Sequence, residues 1–177
     1  KQGLHVFQLW INLPQSRKLC EPWYVDIRSK QCPTVTSSNG DVVLLVGKLC
    51  FDGKTISKKL GESEAARRAS KKTVADLSIK ANRQVTLSMP QSQKVIVYVH
   101  SGEVQIAGHY IKKNELAILT LGEELEINCQ QYEAGCLIMI GEPLNEPVVR
   151  GGPFVMNSEA EIQTAFADYQ SGKFGQI

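Results

Sequence analysis

Val95-Ile-Val-Tyr-Val-His-Ser-Gly-Glu-Val-Gln-Ile-Ala107 decides the fold. The first half is a β-branched run, the second alternates apolar and polar residues, and Ser101-Gly102 between them predicts a tight hairpin. Val95–Val99 is apolar at every position, so it reads as a mid-sheet strand covered on both faces. Similar runs recur outward from it. Strands are predicted near Leu4–Leu13, Trp23–Ile27, Val42–Leu49, Thr73–Ile79, Gln84–Met89, Val95–His100, Glu103–Ala107, Glu115–Leu119, Leu125–Cys129 and Leu137–Ile140. Turn residues punctuate them at Ser38-Asn39-Gly40, Asp52-Gly53, Ala107-Gly108 and Leu121-Gly122. Short strands with turns every ~8–12 residues predict an all-β sandwich or barrel.

Two segments break the pattern. Lys54–Lys72 is polar and dense in Lys and Arg, and reads as a loop or a short helix over Glu62–Ser70. Its bland reading is a solvated excursion. Its functional reading is a phosphate or acidic-partner contact through Lys58, Lys59, Arg67, Arg68, Lys71 and Lys72. No aromatic is interleaved there, so stacking on bases is not supported. Arg67-Arg-Ala-Ser70 also has the form of a basophilic phosphorylation site at Ser70. The second segment is a C-terminal helix. Ser158 and Glu161 form a capping box, Ile162, Ala165, Phe166 and Tyr169 fall on one stripe, and Gly172 stands where a left-handed C-cap is needed. So short a helix is marginal alone, so its stripe must dock.

Composition excludes several classes. The chain has 177 residues, 42% apolar and 21% charged, which suits one large globular domain or two small ones and rules out wholesale disorder. A net charge of +2 argues against a nucleic-acid scaffold or a polybasic membrane binder, so direct nucleic-acid binding is not expected. No stretch approaches the ~18 uninterrupted apolar residues of a membrane span. The first residue is Lys1 rather than Met, and the chain reads as processed or cut from something longer.

The reactive residues are sparse. Five cysteines (Cys20, Cys32, Cys50, Cys129 and Cys136) form neither a C-x-x-C pair nor a disulfide framework, and read as small apolar residues in a reducing compartment. His5, His100 and His109 share no ligand spacing with one another or with a Cys or carboxylate. His100 and Glu103 flank a turn and are expected to face solvent, as is His109. Glu123, Glu124 and Glu126 read as a solvated edge, Asn145 and Glu146 as groups bonding the local backbone, and Trp10 and Trp23 as packing residues. No catalytic, cofactor-binding or metal-ligating residue is therefore assigned.

Three stretches carry a family resemblance. Gly141-Glu-Pro-Leu-Asn-Glu-Pro-Val-Val-Arg-Gly-Gly-Pro-Phe-Val-Met-Asn-Ser-Glu-Ala-Glu-Ile-Gln-Thr-Ala-Phe-Ala-Asp-Tyr-Gln-Ser-Gly-Lys-Phe-Gly175 resembles the C-terminal signature of the pirin family. Gly3–Pro14 is similar to the strand that closes the N-terminal cupin of pirins, and Glu21–Ile27 to the linker after it. Val97–Val104 resembles a cupin hairpin. The resemblance implies a cupin-like double-stranded β-helix with a C-terminal amphipathic helix. It divides the chain into 1–14, the end of the N-terminal cupin; 15–30, a linker; 31–151, a C-terminal cupin barrel; and 152–177, an arm and helix.

Its functional implications are specific. Pirins are bicupins whose N-terminal half holds iron through three histidines and a glutamate; neither ligand motif occurs here, so no cofactor is expected in this chain. Counting back from Gly102 places the histidine pair of a cupin near Ser88-Met89-Pro90. The resemblance implies a metal-free half acting as a structural or protein-interaction module, within a family linked to redox-dependent transcriptional co-regulation in cytoplasm and nucleus. The alternative it implies is part of a quercetin 2,3-dioxygenase-like enzyme whose metal lies outside this chain. Its apolar surfaces (Phe7, Leu9, Trp10, Phe154, Met156, Ile162, Phe166, Tyr169 and Phe174) are expected to meet a second copy, the N-terminal cupin half or another protein.

Overall fold

The computed structural model describes residues 6–22, 24–58 and 72–174. These divide into two compact units, Trp23–Pro143 and a smaller one made of Lys1–Pro22 with Leu144–Ile177.

The larger unit is all-β. Its strands are β1 (Thr34–Thr36), β2 (Gly40–Phe51), β3 (Lys54–Lys58), β4 (Thr73–Ile79), β5 (Arg83–Ser88), β6 (Lys94–Ser101), β7 (Glu103–Ile106), β8 (His109–Lys112), β9 (Leu116–Ile118), β10 (Glu124–Cys129) and β11 (Ala134–Gly141). They run in one antiparallel path, β8-β7-β10-β5-β2-β4-β11-β6-β9, with β1 and β3 also on β2. The path folds over itself because β2 bends. Gly40–Val46 pairs with β4, whereas Gly47–Phe51 pairs with β3, with Cys50 and Phe51 also on β5. At the corner Gly47 has φ +96°, and a Cβ there would stand 2.3 Å from the Lys72 carbonyl oxygen. Thr73 locks the same corner, its hydroxyl accepting from Lys48 N–H at 3.3 Å and donating to Lys48 C=O at 2.8 Å.

Alternation explains the core. In β6, Val95, Val97 and Val99 are buried while Ile96, Tyr98 and His100 are half-buried on the outer face. Phe51, Leu77, Leu87, Ile127 and Ile138 are completely buried beside those valines. Each such side chain contributes about 1.5–3 kcal/mol by leaving water.

Several expectations change. Ser101-Gly102 is not a hairpin: β6 pairs with β11 and β9, and β7 with β10 and β8, so the chain crosses there between the two layers. Gly102 takes φ +70°, with the Glu133 carbonyl 2.5 Å from where its Cβ would be, so this corner needs glycine as a hairpin would. In the larger unit the two-residue hairpins among the described residues are Asp52-Gly53 (φ 45° and 76°), joining β2 to β3, and Ala107-Gly108 (φ 48° and 81°), joining β7 to β8. The expected Lys54–Lys72 excursion begins as strand β3, because that turn returns Lys54–Lys58 along β2. No strand forms over 6–14 or 24–27, contrary to the predicted runs: apolar alternation makes a strand only where a partner edge accepts its hydrogen bonds, and none does. The predicted Glu62–Ser70 helix and Trp23 lie outside the described residues.

In the smaller unit a hairpin of β12 (Val149–Gly151) and β13 (Phe154–Met156) precedes helix α1 (Glu159–Gln170). Ser158 caps α1 by accepting from Glu161 N–H at 3.3 Å, and Glu161 returns a carboxylate to Asn157 N–H at 2.8 Å. Gly172 (φ +76°) ends it, with Gly172 N–H on Tyr169 C=O and Lys173 N–H on Asp168 C=O, the paired bonds of a Schellman motif. Ile162 and Ala165 are buried against Met156, and a Cβ on Gly151 would meet Ile162 Cγ2 at 2.5 Å, so that glycine lets the hairpin lie on the helix.

Candidate functional site

The feature most like a site is a cleft of about 890 Å³ at the corner where β2 changes layers. The register sets its wall: Thr55, Cys50, Ser88 and Glu124 are successive cross-strand neighbours on β3, β2, β5 and β10. Leu49, Met89, Pro90 and Ile140 supply the apolar lining, and Lys48, Thr73, Gln93 and Glu123 the remaining polar groups. Ser88-Met89-Pro90, the positions that sequence counting gives to a cupin histidine pair, therefore do line a cleft.

Those residues do not suit a transition metal. The cleft offers one thiol and two neighbouring glutamates, and no imidazole. Among the described residues no group of three or more His, Cys, Asp or Glu is placed to hold a metal ion. What the lining can do is hydrogen-bond and enclose a small partly apolar molecule.

The histidines are placed differently from expectation. His100 is not a solvated turn residue: its Nε2 lies 2.8 Å from Asp76 Oδ1, and its ring covers Gly135 on the strand between them. Glycine at 135 is what opens that space. His109 is exposed on β8, and His5 lies outside the described residues.

The thiols divide. Cys129 and Cys136 are buried, as read from sequence, whereas Cys50 is half-buried at the cleft, Cys32 is half-buried and Cys20 is exposed. Burial pushes the Cys136 thiol up to about 12. It also raises Cys129, whose Sγ donates to Tyr132 C=O at 2.7 Å. Neither is a nucleophile in the folded chain.

Of the basic residues, Lys59, Arg67, Arg68 and Lys71 lie outside the described residues, as does Ser70. Lys58 donates to Gln31 C=O, and Lys72 is half-buried, desolvation lowering its pKa. The apolar set also splits. Met156 and Ile162 are buried and Phe154 is half-buried, while Phe7, Leu9, Trp10, Phe166, Tyr169 and Phe174 are exposed, Trp10 by 69%. Phe154 gathers Phe166, Tyr169 and Phe174 at ring distances of 5.1, 6.2 and 5.9 Å.

Sequence reasoning missed a carboxylate clamp in the smaller unit. Glu146, expected to serve its own turn, accepts from Gln15 N–H at 2.8 Å and Asn157 Nδ2 at 3.2 Å. Glu161 accepts from Gln15 Nε2 at 3.0 Å, and these bonds hold its carboxyl below the usual carboxylate range. The N-terminal segment is thus tied to α1 across more than a hundred residues, a pairing that no local pattern announces.

Comparison with known proteins places this architecture. The profile described as "Pirin C-terminal cupin domain" matches residues 74–175. A Pseudomonas aeruginosa protein named "Putative quercetin 2,3-dioxygenase" is 35% identical over 171 residues, 94% of this chain and 58% of that protein. Pirin-1 of Arabidopsis thaliana is 29% identical over 174 residues, 95% of this chain and 57% of its own length. The crystal structure of quercetin 2,3-dioxygenase from Acinetobacter baumannii superposes with a TM-score of 0.80 at 29% identity, covering 95% of this chain and 56% of that one. The chain spans a little under three-fifths of the length of each of these relatives. No helix among the described residues is long and apolar enough to cross a membrane. With the matched profile spanning more than half of its length, this chain belongs to the pirin family of cupin proteins.

Proposed function

We propose that this chain is the metal-free C-terminal cupin half of a pirin-like protein, acting as a structural and protein-interaction module inside the cell. The observation that carries the reading is the cleft: Ser88, Met89 and Pro90 stand where a cupin ligand pair is counted, with no imidazole around them. Side chains of that kind pack, hydrogen-bond and exclude water, but do not grip iron. In the family setting such a module serves redox-linked transcriptional co-regulation in cytoplasm or nucleus, with the iron held by an N-terminal cupin.

A second reading is favoured by the relatives' names. As part of a quercetin 2,3-dioxygenase-like enzyme, the chain would brace a metal-bearing domain supplied by the rest of the relatives' length. One experiment separates the two: flavonol turnover and iron content measured on this chain alone and joined to a relative's N-terminal cupin. Both readings predict iron in the joined protein and none in the isolated chain; the module reading predicts no flavonol turnover by either preparation. Flavonol turnover that appears only in the joined protein supports the enzyme reading, and iron held by the isolated chain contradicts both.

A further inference from the structure

We propose that the cleft at the β2 corner binds a small zwitterion of the ω-amino acid class, with its ammonium and carboxylate at opposite ends of an apolar chain. The proposal goes beyond the module reading and does not depend on where a metal sits. Three charged residues line the cleft: Lys48 on β2, Glu124, which opens β10, and Glu123 before it. All three are exposed, and among the described residues none of them forms an ion pair. Met89 follows β5, the strand between β2 and β10, and with Leu49 and Ile140 gives the cleft a buried apolar lining. Unpaired charges of both signs at the sides of an apolar trough are complementary to a ligand that carries the opposite charge at each end.

The register sets the length of that ligand. Cys50, Ser88 and Glu124 are cross-strand neighbours on β2, β5 and β10, so they share one face of the sheet. Lys48, two residues before Cys50 on β2, shares it too. Two strand spacings of ~4.8 Å and two residues of ~3.3 Å put Lys48 and Glu124 roughly 12 Å apart. Side chains standing off the sheet at both ends keep the charges near that separation. An ion contact of ~2.8 Å at each end then leaves about 6 Å between the ligand's own charges. A short alkyl chain fills that gap, whereas an α-amino acid, with its charges adjoining, meets one end only. A purely cationic ligand is opposed by Lys48, and a purely anionic one by both glutamates.

The test is a titration of the full chain, read by backbone amide NMR shifts and by protection of the half-buried Cys50 thiol from iodoacetamide. The probes are 6-aminohexanoate, its isomer norleucine, hexylamine and hexanoate. The predicted result is shifts confined to the β2–β5–β10 corner, a Kd for 6-aminohexanoate below about 1 mM, and roughly tenfold or weaker binding of the other three. Lys48→Met should lower the 6-aminohexanoate affinity roughly tenfold and leave hexylamine unweakened. Glu123→Gln with Glu124→Gln should lower it by a similar factor and leave hexanoate unweakened. These positions are exposed, and circular dichroism checks that each variant folds. Nα-acetyl-lysine presents the same two charges as the end of a protein chain. Tighter binding than 6-aminohexanoate assigns the site to a lysine-terminated chain, and weaker binding assigns it to a free ω-amino acid. The proposal is overturned if neither zwitterion shifts the cleft amides or protects Cys50 at about 20 mM, well above the predicted Kd. It is also overturned if the four probes bind alike, or if the charge variants change nothing.

Discussion

His100 Nε2 and Asp76 Oδ1 lie 2.8 Å apart on strands that are not neighbours, with Gly135 on the strand between them providing the room. A Cβ at 135 would stand 2.3 Å from His100 Cε1, so the pair exists only because that residue has no side chain. The three residues fasten β6, β11 and β4 at the end of the face where the pairing register slips. Gly135→Ala is expected to displace the imidazole and cost about 1–3 kcal/mol, the range for a stranded partly buried polar group. Adding His100→Ala should restore part of that loss. Urea denaturation of the single and double variants checks it; equal, additive losses would mean that ring and glycine are not coupled.

The corner at Gly47 should be less forgiving. There the clash is with backbone, Lys72 C=O at 2.3 Å, and φ is +96°. Gly47→Ala is expected to cost roughly 3 kcal/mol or more, from strain at a φ that L residues avoid plus a contact that cannot move aside. Gly53→Ala, with a positive φ but open space around it, should cost less. Thermal denaturation of the two variants side by side gives the ordering.

The carboxylate clamp gives the smaller unit an acid limit. Glu161 is held below its ordinary range, first by the Gln15 side chain and then by Asn157 N–H. The sign follows from linkage: its contribution is complete above the unfolded-state pKa and is lost as pH falls through the lower folded-state value. Protection of the α1 amides from hydrogen exchange, corrected for intrinsic rates, should therefore drop on the acid side of the glutamate range. Glu161→Gln should flatten that drop, and Ser158→Ala should weaken the helix by about 1 kcal/mol at neutral pH.

Thiol labelling should follow burial. At pH 8 Cys20 is expected to react first, Cys32 and Cys50 more slowly, and Cys129 and Cys136 only when the barrel opens. Cys136, pushed up to about 12, has a negligible thiolate fraction. Mass spectrometry of alkylated peptides, with and without denaturant, reads the order.

What was legible in the sequence was whatever is written locally. Val95–Val99, Thr73–Ile79 and Ser158–Gly172 carry their own period, caps and stops, and these elements form within a residue or two of their predicted bounds. Partnership was not legible. Ser101-Gly102 has hairpin composition but serves as a corner, because a glycine with positive φ suits both and only the neighbouring strands decide. Lys54–Lys58 looked polar enough for a loop, yet it pairs along β2 with Lys54, Thr55 and Ser57 exposed, where polar side chains are tolerated. Leu9 and Trp10 alternate like a strand and form none for want of an edge. The clamp by Glu146 and Glu161, and the His100–Asp76 pair, join residues far apart in the chain, beyond any periodicity.

The proposal that the described residues of this cupin barrel do not hold a catalytic metal is put to elemental analysis. The purified chain is equilibrated with iron(II), nickel(II) or zinc(II), desalted and assayed by inductively coupled plasma mass spectrometry, and its melting temperature is followed with and without chelator. The expected result is metal far below one equivalent and a chelator-independent melt. One equivalent retained per chain, with a melt that falls on chelation and ligands drawn from a single copy, would contradict it.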